Sequence, residues 1–301
     1  MAGTKAGLTG KKSSAVEHLF TLLANSTVPK VLIENVYFML HLDRGAAMQQ
    51  LVTKLEKLGY RWAYRIVDSR AFGVPQRRRR IFFLAMLEGN PCDVLFADDA
   101  GSTEELSPSL DAPIGFYWTE GSSGNGLTRD AIPPLKSGSA IGIASPPAVL
   151  FPDGRVLRPT IETAELLQGF PVNWTKPAAD AGLPRMRWRL VGNAVSAPVA
   201  TWLGERIKSP GSALGSTREL AAGEPWPSAC FGERGKRWSR NVSERPLATP
   251  APSLLDFEDT GWDQLSLRAL SGFIKRARGS SLRYPAGFLE ALEAAETRLK
   301  F

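Results

Sequence analysis

The chain has 301 residues, of which 37 are Lys or Arg and 30 are Asp or Glu, giving a formal net charge of +7. This length is enough for one large domain and a smaller one, and the charge permits a polyanionic partner without requiring one. Two cysteines and two histidines argue against a disulfide framework and against a metal centre. The sequence contains no signal-peptide pattern and no apolar run long enough to span a bilayer, which predicts a cytoplasmic protein without a membrane partner.

Charge is distributed unevenly along the chain. Residues 1–87 contain 14 basic and 5 acidic side chains, whereas residues 88–157 contain 3 and 10. Seven of those ten acidic side chains lie in residues 88–111, which include no Lys or Arg. The change from basic to acidic predicts a domain boundary near residue 88.

The N-terminal region alternates between helix and strand patterns. Residues 13–25 begin with a serine suited to an N-cap and have helical apolar spacing, whereas 31–33 form a short apolar run typical of a buried strand. A helix is predicted over 44–58, and strands over 61–68 and 81–87. This order predicts an α/β fold, the second half of a doubly wound, Rossmann-like sheet.

The pattern changes after the acidic region. Residues 112–157 are rich in Gly, Ser and Pro and lack a helical pattern, which predicts a small loop-rich β subdomain. Helices are predicted over 160–169 and 195–208. Residues 209–301 are predicted to be an extension that ends in two helices, and we recognise no strand followed by a glycine turn there. Four segments result: a catalytic-core half (1–87), an acidic linker with the β subdomain (88–157), a closing segment (158–208) and a helical extension of unknown role (209–301).

Two polar clusters lie at the ends of predicted strands. Glu34-Asn35-Val36 follows the strand at 31–33, and Gln76 to Arg80 precede the strand at 81–87. Because α/β folds place their chemistry at strand ends, we expect these side chains to form a site for an anionic or hydrogen-bonding planar substrate. A solvated turn, a nucleic-acid patch and a localisation signal are the other interpretations of an arginine run. The last usually lies in a flexible tail and not directly before a strand.

Four short motifs, in this order, resemble those of bacterial DNA (cytosine-5)-methyltransferases. They are Glu34-Asn35-Val36, Gln76-Arg77-Arg78-Arg79-Arg80, Leu166-Leu167-Gln168-Gly169-Phe170-Pro171 and Gly192-Asn193-Ala194-Val195. Residues 3–20 are also similar to the stretch that follows the catalytic loop of that family. Each motif alone is a weak signal, but their common order over residues 1–208 identifies the chain as similar to the C-terminal part of a family member.

The resemblance implies a reaction and roles for particular residues. Family members transfer a methyl group from S-adenosylmethionine to C5 of a cytosine that has been flipped out of double-stranded DNA. A cysteine thiolate adds to C6 of the ring, while a carboxyl group at N3 and an arginine at O2 assist that addition. The resemblance assigns Glu34 to N3 and Arg80 to O2. Arg78 is implied to position the cytosine, with support from Gln76.

Other residues are implied to contact DNA or cofactor. Arg77 and Arg79 alternate to the other face and are expected to contact phosphates or solvent. Asn193, Ala194 and Val195 are implied to line the cofactor pocket, and for Asn193 a helix cap is an equally open alternative.

Target recognition in this family belongs to the region between the arginine block and Leu166, here 88–157. Arg129 and Lys136 are candidate base readers, although a loop cation that contacts phosphate or water is the default alternative. Pro133-Pro134-Leu135 stands where the family often has Pro-Thr-Leu. In the extension, the basic run 275–279 is either a DNA-backbone contact or a solvated helix face.

The family's Pro-Cys nucleophile and its cofactor-binding glycines have no counterpart before Glu34. Cys92 follows the arginine block and Cys230 lies in the extension, so neither is predicted to be the nucleophile. Three hypotheses remain: a two-chain methyltransferase whose second polypeptide supplies the missing half, a chain that lacks its N-terminal segment, and a non-catalytic relative that binds DNA or a partner. The first two predict that the chain is inactive alone. A cognate restriction endonuclease is a further implied partner, and the implied location is the bacterial nucleoid.

Overall fold

The computed structural model describes residues 13–122, 124–137 and 146–300. The expectation for residues 3–12 therefore lies outside the described residues. The helices are α1 (Ser13–Ala24), α2 (Ala46–Lys57), α3 (Cys92–Leu95), α4 (Ile161–Leu166), α5 (Lys176–Asp180), α6 (Met186–Asn193), α7 (Ala197–Lys208), α8 (Leu267–Arg278) and α9 (Phe288–Arg298). The strands are β1 (Lys30–Val36), β2 (Arg61–Asp68), β3 (Arg79–Met86), β4 (Ile114–Phe116), β5 (Thr128–Arg129), β6 (Ala148–Leu150), β7 (Val156–Pro159), β8 (Thr217–Glu219), β9 (Ala229–Glu233), β10 (Lys236–Arg240) and β11 (Trp262–Gln264).

The first of two sheets has six strands in the order β1-β3-β2-β9-β10-β8. All of its pairings are antiparallel. Because β3 runs opposite to both of its neighbours, β1 and β2 point in the same direction although they do not pair. The predicted α/β class is confirmed, and the three predicted strands of the N-terminal region are all present.

Helices cover both faces of this sheet. Alternate side chains of β2 point to opposite faces, so Tyr64 packs with Met48 of α2 on one side and Val67 packs with Trp202 of α7 on the other. The predicted apolar face of the second helix is thus buried.

The second sheet has five antiparallel strands in the order β11-β7-β6-β4-β5. Strands β4 to β7 lie between residues 114 and 159, where the sequence predicted a β subdomain over 112–157, whereas β11 comes from the C-terminal extension. Helices α8 and α9 pack on one face through Phe273 and Phe288. The other face, with Val149, packs with Leu167 that follows α4.

The C-terminal extension contributes to both sheets. Strands β8–β10 extend the first sheet, and β11 with the two C-terminal helices completes the second. The expectation that no strand precedes a glycine turn in this region is wrong, because Arg234 and Gly235 connect β9 to β10. That turn closes a hairpin and does not lead into a helix, so it is not a cofactor-binding turn of the strand–turn–helix type.

Within the described ranges, no helix is both long and apolar enough to cross a membrane. The same residues contain no group of three or more His, Cys, Asp or Glu side chains arranged to hold a metal ion.

Candidate active site

Glu34 and Arg80 meet across the β1–β3 pair. Glu34 lies opposite Phe82 and Val36 lies opposite Arg80, so the period of two along each strand places both charged side chains on one face. Arg80 Nε lies 3.1 Å from Glu34 Oε1, and the two side chains are 14% and 26% exposed. Arg80 Nη1 donates to the carbonyl of Arg79, whereas Arg80 Nη2 has no partner among the described residues. Burial lowers the pKa of Arg80 although Glu34 opposes that shift.

Arg78 lies beside this pair but is directed to backbone carbonyls. It is 4% exposed. Its Nη1 donates to the carbonyl of Leu135 at 2.9 Å, and its Nη2 donates to those of Gly192 at 3.2 Å and Ala194 at 2.8 Å. Burial, followed by the positive charge of Arg80, lowers the pKa of Arg78 to about 9. One guanidinium therefore joins Leu135, between β5 and β6 of the β subdomain, to the Gly-Asn-Ala-Val motif.

Gln76 forms a second junction between motifs. Its side chain is fully buried, and Nε2 donates to the carbonyl of Leu167 at 2.9 Å and to Gln168 Oε1 at 2.5 Å. Its Oε1 accepts from the N–H of Leu135 at 3.0 Å. Because all of these groups are buried, each hydrogen bond replaces one that water would otherwise make.

The remaining two motifs also bind each other. Gln168 Nε2 donates to the carbonyl of Ala194 at 2.7 Å. A Cβ added to Gly192 would lie 2.3 Å from the carbonyl carbon of Lys136 and 2.4 Å from Ser137 N, so only a glycine permits this approach of two backbones. Three motifs therefore converge beside Leu135 and Lys136 of the β subdomain: the arginine block, the Leu-Gln-Gly motif and the Gly-Asn-Ala-Val motif.

The two alternate arginines, Arg77 and Arg79, are directed elsewhere. Arg77 Nη2 lies 2.9 Å from Glu105 Oε2. Arg79 pairs with Glu244, and its guanidinium lies 4.8 Å from the centre of the Tyr37 ring. A phosphate contact by either arginine would thus require exchange of a carboxylate partner.

The candidate base readers of the β subdomain also have partners. Arg129 pairs with Asp111. Lys136 pairs with Glu120, and its Nζ lies 3.4 Å from the centre of the Tyr117 ring. Tyr117, which sequence reasoning did not single out, donates its hydroxyl to the carbonyl of Pro134 at 2.7 Å. An aromatic residue after a three-residue strand carries no signal of its own in the sequence.

The predicted cofactor residues lie at the end of α6. Asn193 is exposed, and Ala194 and Val195 are partly exposed. Ala194 borders a cavity of about 280 Å³ whose wall includes Phe170 and Trp174, with their rings 5.7 Å apart and 11° from parallel. The lining is apolar apart from Thr175, so it can contact the face of a planar ring but offers no carboxylate to ribose hydroxyls. Of the three predicted cofactor residues, Ala194 lines this cavity, whereas Asn193 and Val195 do not.

Neither cysteine has the properties of a nucleophile. Cys92 and Cys230 are 5% and 0% exposed. Burial raises the pKa of each thiol to about 12. Since the thiolate is the reactive form, both thiols are inert near neutral pH.

The chain is similar to several known proteins. The family model described as C-5 cytosine-specific DNA methylase matches residues 1–113. The Type II methyltransferase M2.BsuMI of Bacillus subtilis (strain 168) is 41% identical over 315 residues, covering 99% of this chain and 80% of that protein. The Type II methyltransferase M.NlaX of Neisseria lactamica is 25% identical, covering 71% and 73%. The solved structure of the Entamoeba histolytica methyltransferase EhMeth aligns with a TM-score of 0.44 and 16% identity, covering 67% and 71%.

Proposed function

This chain belongs to the C-5 cytosine-specific DNA methylase family, and we propose that it supplies the base-binding half of a DNA cytosine-C5 methyltransferase. The substrate is a cytosine flipped out of duplex DNA, within a restriction–modification system. The observation that carries the proposal is the Glu34–Arg80 pair, fixed on two strands beside the converging motifs.

The geometry of the pair suits the cytosine ring. The Glu34 carboxyl group, in its protonated form, donates a hydrogen bond to N3, and Nη2 of Arg80 donates to O2. Both contacts favour nucleophilic addition at C6, because they stabilise the negative charge that develops on the ring. Arg78 is a positioning residue. It donates hydrogen bonds to the carbonyls of Leu135, Gly192 and Ala194 and thereby holds these segments beside the Glu34–Arg80 pair.

S-adenosylmethionine, when bound, supplies the methyl group. Asn193, Ala194 and Val195 form one wall of its site, next to the cavity with Phe170 and Trp174. The remaining walls and the nucleophilic thiol come from residues outside those that the structure describes, since both buried cysteines are inert.

The first sheet has one edge suited to receive those residues. Strand β1 has seven residues, and Leu32 and Val36 on it are 44% and 48% exposed. The opposite edge strand, β8, is three residues long and fully exposed, with Arg218 and Glu219. Short, charged edges resist strand addition, whereas long apolar edges invite it. We therefore assign the β1 edge as the docking surface for the segment that carries the thiol, located either before Met1 in a longer chain or on a second polypeptide.

The test is methyl transfer by the completed enzyme. The chain is co-expressed with a neighbouring coding segment that contains a Pro-Cys motif and a glycine-rich turn, and transfer of labelled methyl to cytosine C5 is measured. Glu34→Gln and Arg80→Ala are expected to lower the rate by about 10²–10⁴-fold while duplex binding is retained. Arg61→Ala, which removes an exposed β2 cation paired with Glu233, is the matched control, and Cys92→Ala is expected to retain transfer.

Two outcomes would contradict the proposal. Unchanged transfer in both active-site variants would remove Glu34 and Arg80 from the chemistry. Duplex binding without transfer, in every completed form, would instead support a non-catalytic DNA-binding relative.

A further inference from the structure

The C-terminal residues 253–300 are an integral part of the β subdomain. Strand β11 pairs with β7. Phe273 of α8 and Phe288 of α9 pack on Phe116 of β4, with ring centres 4.8 and 5.5 Å apart. Since this packing forms the core on one face of the sheet, residues 253–300 and the described residues of 112–159 form one folded unit.

Helix α8 holds the loop that connects β4 to β5. Arg276 donates from Nη2 to the carbonyl of Trp118 at 2.7 Å and from Nε to that of Glu120 at 2.9 Å. Tyr284, just beyond α8, donates its hydroxyl to the carbonyl of Gly121 at 3.2 Å. A Cβ added to Gly121 would lie 3.2 Å from the Phe273 ring, so this glycine allows the loop to approach the helix.

The same loop reaches the active site from its other side. Glu120 pairs with Lys136, whose Nζ lies over the Tyr117 ring. Lys136 directly follows Leu135, whose backbone is bound by the arginine block. The loop therefore connects the surface around α8 to the base-binding residues through a continuous set of contacts.

The α8 surface beside this loop is basic. Residues 267–285 contain five Lys or Arg and no Asp or Glu. Arg278 is bound by Glu290 and Glu293 of α9, and Arg276 is bound by the loop. Lys275 and Arg283 are exposed and form no ion pair with any described residue. Asn125 of the loop donates to the carbonyl of Arg283 at 3.5 Å, and Lys275 directly precedes Arg276, which binds the loop.

We propose that Lys275 and Arg283 bind phosphates of the duplex that carries the target cytosine, so that residues 253–300 form the second half of the target-recognition subdomain. The proposal rests on the proposed function, because the ligand is duplex DNA. Phosphate contacts of this kind orient the duplex without reading its sequence. The loop, held between α8 and Lys136, is then presented to the DNA at a fixed position.

The test measures DNA affinity as a function of salt. The purified full chain is titrated with a fluorescent duplex of about 30 base pairs and arbitrary sequence, since phosphate contacts do not depend on base sequence. Lys275→Ala/Arg283→Ala is compared with Lys57→Ala/Lys208→Ala, which removes the same charge from exposed last-turn positions of α2 and α7. Thermal melting of each variant confirms that the fold is retained.

Lys275→Ala/Arg283→Ala is expected to lower the affinity for duplex by about tenfold. It is also expected to reduce the slope of log K against log salt by about 2, because each phosphate contact contributes about 0.9. The control variant is expected to leave the slope unchanged. Equal slopes in the two double variants would overturn the inference and indicate a solvated helix face. Failure of the unaltered chain to bind duplex would overturn it as well.

The inference and the proposed function fail separately. Methyl transfer by the completed enzyme that depends on Glu34, together with equal slopes in the two double variants, would overturn only the role of α8. A reduced slope without any methyl transfer would support α8 as a DNA contact and contradict the catalytic proposal.

Discussion

Arg78 donates a hydrogen bond from Nη1 to the carbonyl of Leu135, 2.9 Å away and 57 residues further along the chain. Gln76 accepts a hydrogen bond from the N–H of the same leucine at 3.0 Å. Both polar backbone groups of Leu135 are therefore held by the arginine block. Since Arg80 follows Arg78 by two residues, this contact fixes the β subdomain relative to the proposed base-binding pair.

Replacement of Arg78 by alanine is expected to destabilise the fold strongly. The change leaves the buried carbonyls of Leu135 and Gly192 without donors and that of Ala194 with Gln168 alone, which we expect to lower the free energy of unfolding by about 3–5 kcal/mol. Arg77→Ala, which removes an ion pair whose side chains are 38% and 48% exposed, is expected to cost under about 1 kcal/mol. Urea unfolding measures the free energy of unfolding of both variants. Equal losses of stability would contradict the role of Arg78 in holding these carbonyls.

Two helical glycines are expected to respond oppositely to alanine. In Gly192→Ala the new Cβ would lie 2.3 Å from the backbone of Lys136, and the displacement is expected to cost about 1–3 kcal/mol. In Gly204→Ala, within α7, the new Cβ meets no atom within 4 Å, and helix propensity is expected to add about 1 kcal/mol. Thermal melting of the pair provides the measurement. Stabilisation by Gly192→Ala would show that the two backbones separate at no cost.

The buried thiols predict a loss of stability at high pH. Burial raises the pKa of Cys92 from 9.0 to about 12 in the folded state. The unfolded chain therefore releases this proton first, and the contribution to stability is present below pH 9 and lost as the pH rises towards 12. The loss approaches about 1.4 kcal/mol per pH unit for the thiol. Between pH 9 and 11, the unfolding free energy of Cys92→Ala is expected to fall less steeply than that of the unaltered chain, and parallel curves would contradict the burial effect.

The edge strand β1 predicts association of the chain with itself when its completing segment is absent. A lysine on an edge strand opposes strand addition, so Leu32→Lys is expected to reduce concentration-dependent association in sedimentation velocity. Thr217→Lys places the same charge on the opposite edge strand, β8, and is expected to change nothing. An equal reduction by the two variants would show that the effect is one of net charge and not of the β1 edge.

Local sequence patterns predicted several elements because their signals are contained within one element. The apolar run before Glu34, the strand at 61–68 and the helix at 44–58 are present close to their predicted bounds. The helix predicted from residue 160 is present as α4, and Thr160 caps it by accepting a hydrogen bond from Thr163 N. By contrast, the strands of residues 209–301 went unrecognised, because β8–β10 are short and carry many polar residues.

The sequence by itself determined the family and the α/β class and predicted which residues form the proposed base site, since these depend on motif order and on periodicity within single elements. Only the tertiary structure decided what those residues contact. Arg78 and Gln76 bind backbone groups of Leu135, and the C-terminal helices complete the β subdomain. The physical reason is that these contacts join residues that are far apart in the chain, and a buried donor accepts whichever carbonyl the packed fold places within reach.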